Sequence, residues 1–161
     1  ELTGLPRFRR YAGYVAYSEG WALYAEFLGR ELGLFTDPMQ YYGRLSDEML
    51  RAMRLVVDTG LHAMDWSREQ AIQYMQDNSS LAYTDIVSEV ERYIVWPGQA
   101  LGYKIGDLRL QALRRKAEAE LGERFDIREF HSQLLRDGAL PLEVLESKIE
   151  RWIATQAAGR G

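Results

Sequence analysis

The chain has 161 residues, 47% of them apolar and 27% charged, an ordinary balance for one globular domain with a sizeable core. A net charge of −4 gives no sign of the basic stripe that a nucleic-acid surface needs. The absence of cysteine excludes disulfides, a thiolate metal site and a cysteine nucleophile, and no apolar run reaches the roughly 18 residues of a membrane span.

Taken in order, Glu1 to Ala12 form a polar, basic lead-in with Pro6, Arg7, Arg9 and Arg10. Residue 1 is not Met, and this stretch lacks the layout of a signal peptide. The chain therefore reads as a soluble piece of something longer, with any targeting signal upstream. A long helix is expected from about Gly13 to Glu31, with Gly33 suited to its C-terminal cap. Asp37-Pro38 supplies an N-cap and a first-turn proline for a helix to about Met64, with Gly43 a candidate break. Leu50, Met53, Val57, Leu61 and Met64 give that helix a core stripe.

Ser67 to Gln70 is a capping box, opening a short helix to about Asp77. Asn78, Ser79 and Ser80 read as a loop. Thr84 or Asp85 caps a helix carrying Ile86, Val90, Tyr93 and Ile94. Trp96-Pro97-Gly98 breaks the chain, and a helix from Pro97 to about Leu121 ends at Gly122. Asp126 with Glu129 starts a helix that ends at Asp137-Gly138. Pro141 opens a last one with Leu142, Leu145, Ile149, Trp152 and Ile153 apolar, and the tail from Gln156 to Gly161 is expected to fray. No stretch alternates with a strand's period. The prediction is a single all-α domain of six to seven helices over residues 1–161.

The first segment with chemical content is Tyr17 to Glu26. Glu19 and Glu26 stand nearly two helical turns apart and so point the same way. The helix around them is apolar on nearly all sides, which predicts burial. A buried carboxylate is costly unless paired, protonated or metal-bound. Glu19 is thus either a metal ligand or catalytic carboxylate, or a glutamate paired with an arginine. Glu26 reads as a supporting or structural neighbour.

The second segment is Arg54, Asp58 and His62, spaced to line one strip of a helix. Asp58 there can hold His62 in one tautomer. The alternative is a salt-bridge ladder at the core boundary. The third segment runs from Trp96 to Gly106, where Gly98, Gly102 and Gly106 recur every fourth residue. Such a run suits close approach to the backbone, by another helix or by a substrate. Gln99 and Tyr103 lie one turn apart, a tyrosine hydroxyl can donate to a developing oxyanion, and Lys104 can meet a carboxylate. The other histidine, His131, reads as packing or capping.

These segments, Tyr17-Ser-Glu-Gly-Trp-Ala-Leu-Tyr-Ala-Glu26, Arg54-Leu-Val-Val-Asp-Thr-Gly-Leu-His62 with Trp66-Ser-Arg-Glu-Gln-Ala71, and Glu91-Arg-Tyr followed by Pro97-Gly-Gln-Ala-Leu-Gly-Tyr-Lys-Ile-Gly106, resemble the C-terminal part of the bacterial domain-of-unknown-function 885 family. Phe130-His131 and the Gly138–Leu142 turn fit the same pattern. The resemblance implies the C-terminal portion of a larger, helical, gluzincin-like zinc protein. Ser18-Glu-Gly-Trp-Ala22 is also similar to the Asn-Glu-Gly-Phe-Ala stretch of aminopeptidase-N-like enzymes, which makes Glu19 the third zinc ligand. Gly102-Tyr103 resembles the late tyrosine of the helical oligopeptidase and angiotensin-converting groups, which implies that Tyr103 stabilises a tetrahedral intermediate.

One departure is large: the chain has no H-E-x-x-H, so the remaining zinc ligands and the general base are expected in an upstream segment. The resemblance implies the C-terminal part of a zinc-dependent hydrolase, a metallopeptidase with a peptide-like substrate. In it Glu19 is the metal ligand, Tyr103 and His62 are catalytic contacts, and Arg92, Gln99 and Lys104 grip substrate. Glu26 and Asp58 support them. Alone, the chain is expected to be inactive, to bind zinc weakly and to self-associate. The rival reading is a non-catalytic helical interaction module of a larger protein.

Overall fold

A computed structural model describes residues 4–159. Among them every regular element is helical: α1 (Arg7–Tyr11), α2 (Val15–Glu31), α3 (Pro38–Ala63), α4 (Arg68–Asn78), α5 (Tyr83–Val95), α6 (Gly102–Leu121), α7 (Ile127–Leu135) and α8 (Leu142–Ala158). Short 3-10 turns cover Gln99–Leu101 and Gly122–Arg124. The all-α expectation holds, with eight helices among the described residues instead of six or seven. The addition is α1, a five-residue helix with no buried residue, which leaves no apolar period to read. The first three residues of the lead-in and the last two of the tail lie outside the described residues. The tail is helical as far as Ala158.

Local chemistry sets most boundaries. The Asp37 carboxylate accepts from the Met39 N–H at 2.6 Å, with Pro38 in the first turn, and so opens α3. Ser67 and Gln70 exchange the two bonds of a capping box, 2.8 and 3.2 Å, at the start of α4. Asp126 accepts from the Arg128 and Glu129 N–H groups at 2.7 and 3.2 Å to open α7. Gly43 does not break α3: a lone exposed glycine costs about 1 kcal/mol, which a helix of 26 residues absorbs. The long helix expected from Pro97 begins instead at Gly102. Gly98 takes φ +77°, a left-handed turn, and the 3-10 turn intervenes.

The chain divides into two compact units, one of Ala22–Lys104 and one of the residues up to Trp21 with those from Ile105 onward. In the Ala22–Lys104 unit α3, α4 and α5 enclose a core. It holds Met53 and Val57, then Ala71, Ile72 and Met75, then Ile86, Val90 and Tyr93, closed by Ala100. Leu50 and Leu61 pack against it, as their spacing predicts. Met64, beyond the end of α3, is exposed.

In the other unit α2 meets α6 backbone to backbone. A Cβ on Gly106 would stand 1.9 Å from the Ala16 carbonyl oxygen, and one on Gly20 would stand 2.4 Å from the Gly106 Cα. No side chain fits that crossing. The buried Tyr17 hydroxyl donates to the Leu134 carbonyl at 2.9 Å. Burial and the Asp137 charge push its phenol above the usual tyrosine range. The His131 ring packs edge-on to Trp21, with centroids 5.5 Å apart, in line with its reading as a packing residue. Phe130 lies beside Phe125, His131 and Trp152. Leu145, Ile149 and Ile153 form the buried stripe of α8.

Candidate functional site

On α2 Tyr17, Gly20, Leu23 and Tyr24 are buried on one face, and Gly29, near the end of the helix, is buried against the Phe35 ring. The expectation of burial on nearly all sides is therefore corrected: Ala22 and Glu26 are exposed and Glu19 is half-buried. The Glu19 carboxylate makes no ion pair or hydrogen bond with any described residue, and Glu26 makes none either. Neither the arginine pairing considered for Glu19 nor a Glu19–Glu26 contact is present among the described residues. Glu19 is carried one residue before the Gly20–Gly106 crossing, where the helix backbone has no room to shift.

The other predicted residues fall in the Ala22–Lys104 unit, where Arg92, Gln99 and Tyr103 join a polar cluster built from four segments. Arg54 comes from the middle of α3. Glu89, Arg92 and Tyr93 come from one face of α5, Gln99 from the 3-10 turn, and Tyr103 from the first turn of α6. Glu89 Oε2 is the hub. It accepts from Arg54 Nη2 at 2.9 Å, Arg54 Nε at 3.2 Å, Arg92 Nη2 at 3.1 Å and, in a short bond, the Tyr93 hydroxyl. Arg54 Nε also donates to the Tyr93 oxygen at 3.0 Å. Arg92 Nη1 donates to Gln99 Oε1 at 2.6 Å. The buried Arg54 guanidinium carbon stands 4.7 Å from the centre of the Tyr103 ring, a cation–π contact.

The electrostatics follow from this crowding. Burial pushes the Glu89 carboxyl up, but the hydrogen bonds from Tyr93, Arg92 and Arg54, with the Arg54 charge, outweigh it and bring it down to about 2. Burial and the bond to Glu89 push the Tyr93 phenol up, so it stays neutral. Two guanidiniums thus share one carboxylate, and the group keeps one positive charge that no member neutralises. Arg54 Nη1 is buried without a hydrogen-bond partner among the described residues. Arg92 remains partly open to solvent. Such a group can hold an anion beside two neutral polar side chains, Gln99 and Tyr103.

The predicted Asp58–His62 pairing takes a different form. Both oxygens of the buried Asp58 accept from the Gly98 N–H, each at 3.1 Å, so Asp58 holds the Pro97-Gly98 turn. His62 Nε2 instead donates to the Tyr93 carbonyl at 2.9 Å. The carbonyl thereby selects the tautomer and leaves Nδ1 as an acceptor. Lys104 does meet an acidic side chain, Glu48, at 2.6 Å, and Arg44 takes the other Glu48 oxygen at 2.6 Å. Burial raises the Glu48 carboxyl, and Lys104 with Arg44 more than reverses that. The predicted glycine run serves separate ends, a turn at Gly98 and a helix crossing at Gly106.

Two members of the cluster, Glu89 and Tyr93, are absent from the predicted set. Tyr93 reads in sequence as one more apolar residue of the α5 stripe. The available signal was the spacing of Glu89, Arg92 and Tyr93, which places an acid, a cation and a hydroxyl within one turn.

For a metal the donor set in this chain is short. Among the described residues no three His, Cys, Asp or Glu side chains gather as a metal-holding group. A catalytic zinc takes three protein ligands and a water. Among the described residues Glu19 is a single open donor.

No curated protein matches the chain. A crystal structure of a candidate lipoprotein from Colwellia psychrerythraea is 52% identical over 92% of this chain, with a TM-score of 0.90. The match covers 26% of that protein, so this chain spans about a quarter of its length. This relative corrects the expectation of a soluble chain, because it carries the description of a lipoprotein. Among the described residues no helix is long and apolar enough to cross a membrane, which leaves a lipid anchor untouched. Residues 1–149 match the model of the bacterial proteins of unknown function DUF885, and the chain belongs to that family.

Proposed function

We propose that the chain is the C-terminal part of a longer zinc-dependent hydrolase, a metallopeptidase acting on a peptide-like substrate. An upstream segment with H-E-x-x-H supplies the ligands that this chain lacks. The observation that supports this reading is the Glu19 carboxylate, half-buried and without a partner among the described residues. A carboxylate partly withdrawn from water and left unpaired is costly, and a cation relieves that cost. The glycine crossing beside it gives the rigid support that a ligand position needs.

In the Ala22–Lys104 unit the Tyr103 hydroxyl has no hydrogen-bond partner among the described residues, and Arg54 braces its ring. It is free to donate to a developing oxyanion. Arg92 and Gln99, with the surplus positive charge beside them, suit an anionic group of the substrate. His62 offers Nδ1 to a substrate N–H. The lipoprotein description of the Colwellia relative supports a membrane-associated location for the longer protein.

The test is zinc content in the longest natural form of the protein, with and without Glu19→Ala. The expected result is a stoichiometric metal in the parent and its loss in the variant, together with loss of peptide hydrolysis. Unchanged zinc in the variant removes Glu19 from the site. A natural protein without an upstream H-E-x-x-H sinks the hydrolase reading as a whole.

A further inference from the structure

The first half of α3 is mostly exposed among the described residues. The helix has 26 residues and is about 39 Å long at 1.5 Å per residue. Its buried residues are Arg44, Met53, Arg54, Val57, Asp58 and Gly60, so Arg44 alone is buried before Met53. Yet one stripe on the exposed side of that half is apolar. Met39, Tyr42, Leu45 and Met49 follow at helical spacing and are 70, 57, 42 and 43% exposed. Tyr42, Leu45 and Met49 line a groove of about 500 Å³ together with the 77–81 segment, Leu81 included. Its polar lining is Ser46, Asp77, Asn78, Ser79 and Ser80.

Exposed apolar side chains beside polar ones in one groove suit an interaction surface, and Met49 makes it adaptable. A helix end with so little burial of its own also gains little from propensity alone. The length of the relative indicates the occupant. The matching protein is nearly four times as long as the segment this chain covers, and its remaining chain must pack somewhere.

We infer that the Met39–Met49 face of α3, with residues 77–81, is the seat of an apolar helical segment from the rest of the longer protein. The segment presents side chains at i, i+3 or i+4 and i+7 to the groove. The inference rests on the reading of the chain as part of a longer protein. It does not rest on the zinc chemistry: the groove closes whether or not that protein holds a metal.

The experiment uses the full-length natural protein. This chain has no cysteine, so Leu45→Cys and Glu69→Cys each place a single thiol here, the first in the groove and the second on the exposed start of α4. Maleimide labelling is followed at each site by peptide mass spectrometry. The expected result is labelling at position 45 at least about tenfold slower than at 69, unchanged on dilution and in the absence of vesicles. Carbene footprinting of the unsubstituted protein should show the same protection over 39–49, which guards against a misfolded variant. Equal labelling at the two sites overturns the inference. Protection lost on dilution assigns the face to a second copy, and protection that needs phosphatidylglycerol vesicles assigns it to a membrane. Either of these also overturns it.

Discussion

Glu89 is the residue on which the polar cluster depends. One of its oxygens gathers two guanidiniums and a phenol, and those groups have no other carboxylate within the cluster. Glu89→Gln leaves the buried Arg54 charge uncompensated and should cost about 3 kcal/mol, measured by urea unfolding. A loss within error of zero removes Glu89 from this role. The same carboxyl gives a pH signature. Its value falls from an ordinary 4.5 to about 2 on folding, so its contribution is fully present above pH 4.5 and is lost as pH drops through about 2. The thermal midpoint should fall across that window in the parent and be flatter in Glu89→Gln.

At this scale the sequence exposes residue types more readily than partners. Arg54, Asp58 and His62 stand out by spacing, but Asp58 bonds a glycine 40 residues away and His62 bonds a carbonyl 31 residues away. Neither pairing is written in a local period. Glu89 and Tyr93 lie within one turn of Arg92, and the apolar stripe that shares their helix hides them.

Among elements, α2 and α6 are fixed by what they omit. Gly106→Ala would push a methyl into the Ala16 carbonyl and should cost about 3 kcal/mol or prevent folding. Gly43→Ala, in a helix interior with nothing within 4 Å, should instead stabilise by about 0.5–1 kcal/mol. Chemical denaturation of the two variants side by side checks both signs, and a neutral Gly106→Ala would mean that the crossing is loose. The helix starts at Pro38, Arg68 and Ile127 were legible because caps are local hydrogen-bond chemistry. The start of α6 was not, because Pro97 reads as a first-turn proline until the left-handed turn at Gly98 is seen.

For the molecule as a whole the sequence indicated an all-helical chain and its family, since both rest on patterns that run the length of it. The division into two compact units was not legible, because α2 and α6 each supply residues to both and no linker composition marks a boundary. Exposed apolar side chains recur outside the α3 groove as well, at Phe8, Tyr11, Val95 and Trp96. Isolated, the 161-residue chain should therefore self-associate. Light scattering across a concentration series tests this, and a monomer at millimolar concentration would count against it.

The turn held by Asp58 also supplies a spectroscopic handle. The Gly98 amide proton sits between the two oxygens of a buried carboxylate, 3.1 Å from each to the nitrogen. A proton so placed is protected from exchange until Asp58 on α3 parts from the Pro97-Gly98 turn. In a nitrogen–proton correlation spectrum the Gly98 peak reports this bond. Its decay in heavy water times the opening of this turn, the segment that leads from α5 to Gln99 and Tyr103.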